Sequence, residues 1–382
     1  MYDNIGSDFA DDVKEAGAAV ADGALGKEER VVVFHRKYSI PERAETASVV
    51  YELVADKTAE EGFSRKMLKQ YGPNENDDLS PEVIASVVGD ARRLVPADHY
   101  GLAFGSHGKG WMPSIYGNQV MRYGIGDKLQ EHSYPELWGE RENPLTRYLE
   151  SERGEKIDNS EFVNALDEWS WDFILLDDCF MASVESLYDM RTLADYIIAS
   201  PAEIYIDGFP YDRVVGSVFS DWSESGFMRT GFEYVDHYRH SVPDFPYGTV
   251  AVVKTAELDA LALAVKNLRM SGFRDDLNPD TDNIQSYEGF RNGHVFYDLD
   301  HYLECGTLNP GLLSVFRSQL EKTVVFADHT DRFYSNFGYR IQHDITHYSG
   351  LSVFVPWSGN GNTAILDSPY RQTEWYKFVY GE

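Results

Sequence analysis

Apolar residues recur along this chain in two alternating rhythms. Within residues 1–19, Ile5, Phe9, Val13 and Ala16 fall at helical spacing with Asp and Glu between them. Val31-Val32-Val33-Phe34 follows as a short run of β-branched and aromatic residues, read as a buried strand. Residues 55–80 are polar and are expected to be loop, ending at Ser80-Pro81-Glu82. Ser80 as cap and Pro81 at the first helical position mark a helix start, after which Val83, Ile84, Val87, Val88, Ala91 and Leu94 share one face. Tyr100–Gly105 reads as a strand running straight into Ser106-His107-Gly108-Lys109-Gly110-Trp111. Asn118–Glu155 is polar with little periodicity. A helix is then predicted from about Ser160 to Trp169, a strand at Asp172–Asp177, and a helix carrying Val184, Leu187, Tyr188 and Arg191. Strands at Asp195–Ser200 and Gly248–Val253 and a helix over Glu257–Met270 complete this part.

Strands alternating with helices imply βαβ units and a mainly parallel sheet covered on both faces. From Gly272 the chain turns rich in Asp, Asn and Tyr, with a helix near Leu312–Lys322 and a strand at Leu351–Pro356. This predicts a main α/β domain over 1–271 and a C-terminal α+β extension over 272–382 that packs on it and adds strands to its sheet. No internal repeat or low-complexity segment is present.

Composition narrows the function. The 34 basic and 63 acidic side chains leave a net charge of −29, which argues against a phosphate-tracking surface and against adsorption to anionic lipid. No nucleic-acid partner is therefore expected. With 43% hydrophobic residues the chain is a globular protein, not an acidic tail. No apolar run approaches the roughly 18 residues that would span a bilayer. The opening Met-Tyr-Asp-Asn-Ile-Gly shows no signal peptide. Cys179 and Cys305 are the only cysteines, too few for a disulfide framework or a cysteine-rich zinc site.

Ligands of open α/β sheets bind beyond the carboxyl ends of the strands. Two such ends carry reactive residue types: His107 after Tyr100–Gly105, and Cys179 after the strand ending at Asp177. A thiol beside an imidazole is a recurring arrangement for acyl transfer. Gly108 removes bulk next to His107, so its N–H can approach a substrate carbonyl as an oxyanion donor. The N–H of Cys179, expected near a helix start, would be the second donor and would favour the thiolate. Taken singly, a cysteine after a buried strand is more often packing than nucleophile.

The flanking residues resolve this. Leu102-Ala-Phe-Gly-Ser-His-Gly-Lys-Gly-Trp111 resembles the histidine motif of the clostripain family, and Phe173-Ile-Leu-Leu-Asp-Asp-Cys-Phe-Met181 resembles its cysteine motif. Val184-Glu185, Ser200-Pro-Ala-Glu-Ile, Gly208-Phe-Pro-Tyr211, Gly350-Leu-Ser-Val-Phe-Val-Pro356 and Thr373-Glu-Trp-Tyr-Lys377 are similar to further family segments. The resemblance runs from about residue 30 to the end. It implies a caspase-like α/β/α sandwich, of the clan that includes gingipain, legumain and the caspases. It also implies a cysteine endopeptidase cutting after Arg or Lys, with His107 and Cys179 as the dyad and Gly108 at the oxyanion position. Asp177 matches the acid of the specificity pocket, where a half-buried carboxylate would select a cationic side chain by charge-assisted hydrogen bonds. The structural alternative for Asp177 is a cap on the next helix. Asp207, on the loop after the next strand, is a further candidate for the pocket.

Three positions depart from the pattern. The family's apolar strand ahead of the first helix is missing, so the start is read as truncated, which also accounts for the missing signal peptide; the family implies export. Asp178 precedes Cys179 directly, and facing the thiol it would raise its pKa. Lys109 stands where a smaller residue is usual. In 118–155, where family members are cut to become active, Arg122, Lys128, Arg141, Arg147 and Arg153 are candidate self-cleavage sites.

His343 and His347 have the i, i+4 spacing of a helical metal pair but lack the glutamate and run into a strand, so no metal site is assigned. Asp276-Leu-Asn-Pro-Asp-Thr-Asp282 has the alternating oxygens of a calcium loop without its glycine, and the family includes calcium-dependent members. Calcium is thus a candidate structural or activating ion, and the chemistry itself needs no cofactor. The expected protein is a monomer acting on peptides with Arg or Lys before the scissile bond. The alternatives are a catalytically silent caspase-like protein that binds basic peptides and a metal hydrolase built on the C-terminal histidines.

Overall fold

The computed structural model describes residues 4–36, 47–72, 75–76, 79–113, 157–205, 207–274, 276–290, 293–335 and 342–381. The candidate cleavage sites Arg122, Lys128, Arg141, Arg147 and Arg153 lie outside these residues.

The chain opens with helix α1 (Asn4–Ala21), whose Val13, Ala16, Ala19 and Val20 are buried against a three-stranded antiparallel sheet. Its strands are β1 (Val31–His35), β2 (Val49–Ala55) and β3 (Phe63–Gln70). β3 lies inside the 55–80 stretch expected to be loop. Its sequence, Phe-Ser-Arg-Lys-Met-Leu-Lys-Gln, exposes Arg65 and Lys66 from an edge strand, and such polar edges carry little strand signature. Helix α2 (Pro81–Leu94) covers part of this sheet through Val83 and Val87. It starts as predicted, with Ser80 Oγ accepting from Val83 N–H at 3.3 Å. Ser80→Ala should cost about 1 kcal/mol of stability, visible as a lower urea midpoint with an unchanged slope.

The central sheet begins with β4 (Gly101–Gly105), β5 (Trp171–Asp177) and β6 (Ala194–Ala199), all mutually parallel. β7 (Thr249–Lys254) runs antiparallel to β6. The helices between are α3 (Asn159–Leu166), α4 (Val184–Asp189), α5 (Tyr211–Ser220), α6 (Glu224–His240) and α7 (Leu258–Met270). Ile174, Leu175 and Leu176 of β5 are all fully buried, as a strand covered on both faces requires. On one side α6 packs on the sheet and on α5, and α5 on α1. α3, α4 and α7 form a separate packed group, with α2 against α3.

The segment after Gly272 adds β8 (Tyr297–Asp298), α8 (Leu299–Gly306), α9 (Pro310–Thr323) and β9 (Val324–His329), then β10 (Arg332–Tyr334), β11 (Gln342–Asp344), β12 (Ser352–Val353), α10 (Thr363–Tyr370) and α11 (Glu374–Tyr380). β9 pairs antiparallel with β7 and completes the order β4-β5-β6-β7-β9, in which β9 points the same way as β4, β5 and β6. Four of the five strands therefore share one direction. One core cluster runs from Trp111 to Val379 and takes side chains from both sides of Gly272. The Leu351–Pro356 stretch is paired as a strand only at Ser352–Val353, on β8 instead of the central sheet. It nevertheless abuts the chain just beyond β5, where Ser352 N–H donates to Ala182 C=O at 3.0 Å.

Candidate active site

β4 and β5 end level with each other, Gly105 opposite Asp177. The turns that follow are in direct backbone contact. A methyl group placed on Gly108 would lie 2.1 Å from the Cys179 carbonyl oxygen and 2.5 Å from its nitrogen, closer than any side chain is tolerated. The structure thus brings the Ser106–Gly110 turn, with half-buried His107 on it, onto the backbone of the cysteine. Only glycine permits this approach.

Cys179 does not sit at a helix start. The next helix, α4, begins at Val184 and is capped by Ser183, whose Oγ accepts from Ser186 N–H. Residues 179–182 instead run beside the chain leaving β6, with Phe180 N–H on Ala202 C=O and Ala182 N–H on Ser200 C=O, both at 3.0 Å. Helix-dipole help for the thiolate therefore does not apply. In its place the Ile204 N–H donates to Cys179 Sγ at 3.3 Å, and Ile204 C=O lies 3.7 Å from the sulfur as acceptor for the thiol proton. The residue is buried, at 1% exposure.

Phe180 takes a left-handed conformation at φ 64°, strained for a residue with a bulky side chain. Its ring stacks flat on Phe296, with centroids 4.6 Å apart. Phe296 also lies where a side chain on Gly110 (φ 59°) would point, so one ring fills the space beside both turns. Fully buried Glu288 anchors the segment that carries this ring, accepting from the N–H groups of Phe290, Val295 and Phe296 and pairing with His294 Nδ1 at 2.8 Å. Burial alone would discharge His294, but the Glu288 carboxylate outweighs it and holds the imidazole at about 9.

Asp177 is fully buried, not half-buried, because the segment after β6 closes over it. Its Oδ2 accepts from Phe209 N–H at 3.3 Å and from Tyr211 Oη at 3.2 Å. It does not cap α4, since Ser183 does. Asp207 is exposed on the same segment, at the turn before Phe209 and Tyr211. Asp178 and Lys109 are both buried. Two residues without any chemical motif in the sequence join this neighbourhood. Tyr211 touches Asp177 through its hydroxyl, and its N–H donates to Glu15 Oε2 of α1 at 2.9 Å. Burial pushes the Glu15 carboxyl up to about 7, the Tyr211 N–H opposing it and Asp212, Asp207 and Asp11 adding to it. A 196-residue separation leaves no local pattern to read.

The remaining sequence candidates are dispersed. His343 stacks on Phe333 and His347 on His301, so the two histidines face different partners. The oxygens of the Asp276–Asp282 segment are committed to protein donors: Asp276 and Asp282 to Arg274, Asn278 to the N–H groups of Asp280 and Thr281, Asp280 to Tyr297. Among the described residues no helix is long and apolar enough to cross a membrane.

A parallel α/β core with a cysteine turn and a histidine turn pressed together beyond adjacent strand ends defines a cysteine peptidase of the caspase-like class. The sequence profile of the clostripain family matches residues 136–360, and the chain belongs to that family. The fold is similar to a secreted C11 cysteine protease of Bacteroides thetaiotaomicron, "iotapain", with a TM-score of 0.78 and 24% identity over 99% of this chain and 96% of that one. It is similar to an inactive zymogen C11 protease of Parabacteroides distasonis, with a TM-score of 0.75 and 25% identity over 98% and 93% of the two chains. A secreted C11 protease of B. thetaiotaomicron in complex with an irreversible peptide inhibitor gives 0.74 at 22% identity, over 98% and 95%. No curated protein sequence matches the chain.

Proposed function

We propose that this cysteine peptidase is an endopeptidase that cleaves after arginine or lysine, using Cys179 as nucleophile and His107 as its acid–base partner. The observation that carries the reading is the backbone contact of Gly108 with Cys179, two residues beyond a buried carboxylate. His107 takes the Cys179 thiol proton, the sulfur attacks the carbonyl carbon after the basic residue, and the carbonyl electron pair moves to oxygen. The N–H groups of Gly108 and Cys179 hold that oxyanion. Its collapse breaks the C–N bond while His107 delivers a proton to the departing amine. Water then opens the thioester, regenerating the thiol and releasing the acid. Asp177 receives the cationic side chain, with Asp207 at the rim. No step calls for a cofactor; calcium, if required, acts on the fold. The protein is read as a monomer, and as an exported one because a similar protein is described as secreted.

The burial of Cys179 also fits an uncut chain that is latent until processed within residues 118–155. A similar structure is of an inactive zymogen.

The test is hydrolysis of fluorogenic peptides ending in Arg, Lys, Asp or Leu, before and after limited trypsin treatment, with and without calcium. Cleavage of the Arg and Lys peptides only, absent from Cys179→Ala, is the expected result. Cleavage with another preference would remove Asp177 from its role. Silence of the folded protein under every condition would return it to the non-catalytic peptide-binding reading.

A further inference from the structure

Tyr211 bonds both the acid two residues before the nucleophile and the N-terminal helix. The geometry points to Tyr211 as a specificity-determining residue, held in place by Glu15, that orients Asp177 for a basic side chain. The inference deepens the Arg/Lys reading and rests on it.

A carboxylate at 0% exposure is stable as an anion only if donors replace its water. Asp177 Oδ2 has two such donors, the Phe209 N–H and the Tyr211 hydroxyl, and both come from the segment that also carries Asp207. The Phe209 donor is backbone and cannot leave without moving the chain. The Tyr211 hydroxyl is a side-chain tip that stays on Oδ2 and orients the carboxylate toward an arriving ammonium or guanidinium group, which makes a charge-assisted bond to it. The ring beside that cation adds a favourable face. Tyr211 is half-buried, placed between the sealed acid and the surface.

Its position depends on α1. Tyr211 is the first residue of α5, and the residue before it, Pro210, gives the helix no side-chain cap. The Tyr211 N–H would be an orphan donor at a helix start. Glu15 supplies the acceptor from 196 residues away, fixing the backbone from which the ring projects.

The experiment uses the full-length protein in its active form. Peptides ending in Arg, Lys and Leu are compared for Tyr211→Phe, Glu15→Ala and Glu15→Gln, with melting temperatures as a fold control. Alkylation of Cys179 by iodoacetamide, which has no basic group, reports on the thiol alone. Tyr211→Phe should raise KM for the Arg and Lys peptides about tenfold, the scale of one hydrogen bond to a charged group, with kcat and the alkylation rate changed less than about twofold. Glu15→Ala should raise the same KM values about threefold, and Glu15→Gln, which keeps an acceptor for the Tyr211 N–H, should restore them. An unchanged KM in Tyr211→Phe would overturn the inference. So would an equal loss on all peptides with slower alkylation, which is the mark of a merely structural residue. A wild-type enzyme indifferent to basic peptides would overturn the Arg/Lys reading itself, before any variant is compared.

Discussion

Gly108→Ala is expected to lower kcat/KM on any cleaved peptide by at least about 100-fold, the loss typical of a misplaced oxyanion donor. The new methyl group would stand 2.1 Å from the Cys179 carbonyl oxygen, 2.5 Å from its nitrogen and 2.9 Å from its carbonyl carbon. All three are main-chain atoms, so no side chain can rotate away to make room. The two turns must separate, and the chain on each side resists. Phe180 N–H is tied to Ala202, and the Phe180 ring is stacked on Phe296. Gly110, two residues on, already presses against that ring. Relief at residue 108 therefore spreads to the nucleophile, its N–H and the imidazole next door. Overpacking of this kind also costs roughly 1–3 kcal/mol of stability. Calorimetry separates the two effects, because a variant that remains folded at the assay temperature and has still lost activity has lost geometry. Wild-type activity in Gly108→Ala would mean that the two turns are apart in the working enzyme, and the oxyanion assignment would fall.

That contact shows which parts of the site were legible in the sequence. The strand ends were, because the apolar runs Tyr100–Phe104 and Phe173–Leu176 stop at Gly105 and Asp177 and each is followed by a reactive side chain. Pairing of these strands in parallel then puts His107 and Cys179 at one edge. The support of the cysteine was not legible. A helix start at residue 179 was the natural expectation from Val184 and Leu187, yet the helix waits for the Ser183 cap, and a β6-derived loop supplies the donor to sulfur. Phe180 at positive φ carries no glycine or asparagine to announce the turn. The β3 strand was hidden by its charged edge, and the Tyr211 contacts by their separation along the chain. The extension is expected to add strands to the sheet, but the sequence does not mark Val324–His329 as one of them; its place at the β7 edge comes from pairing. What short-range pattern encodes was readable, and what tertiary pairing selects was not.

The second large effect expected is on stability, at Glu185. This residue lies in the first turn of α4, six positions after Cys179, and is fully buried. Its Oε1 accepts from Phe354 N–H at 2.8 Å, so it ties the C-terminal segment to the element that follows the nucleophile turn. Burial pushes its carboxyl up from 4.5 to about 8, only partly offset by backbone donors including Phe354 N–H. The unfolded chain ionises Glu185 near the ordinary value while the folded chain keeps the proton. Between those two pH values the folded state therefore binds more protons than the unfolded one, and stability must fall as pH rises. Below about 4.5 this penalty is absent; above about 8 it is complete. At about 1.4 kcal/mol per pH step, the loss across the window is on the order of 5 kcal/mol. Glu185→Gln removes the titration and keeps a carbonyl for Phe354 N–H. Measured by urea unfolding in the Cys179→Ala background, so that no self-digestion intervenes, it should be more stable than its parent at pH 8. It should give a flatter dependence of stability on pH between 5 and 8, and its advantage should vanish or reverse near pH 5. Parallel curves for the two proteins across that range would show that Glu185 is not the group that binds the proton. The stability of the nucleophile turn at alkaline pH would then need another source, and the Phe354 bond would stand as an ordinary neutral contact.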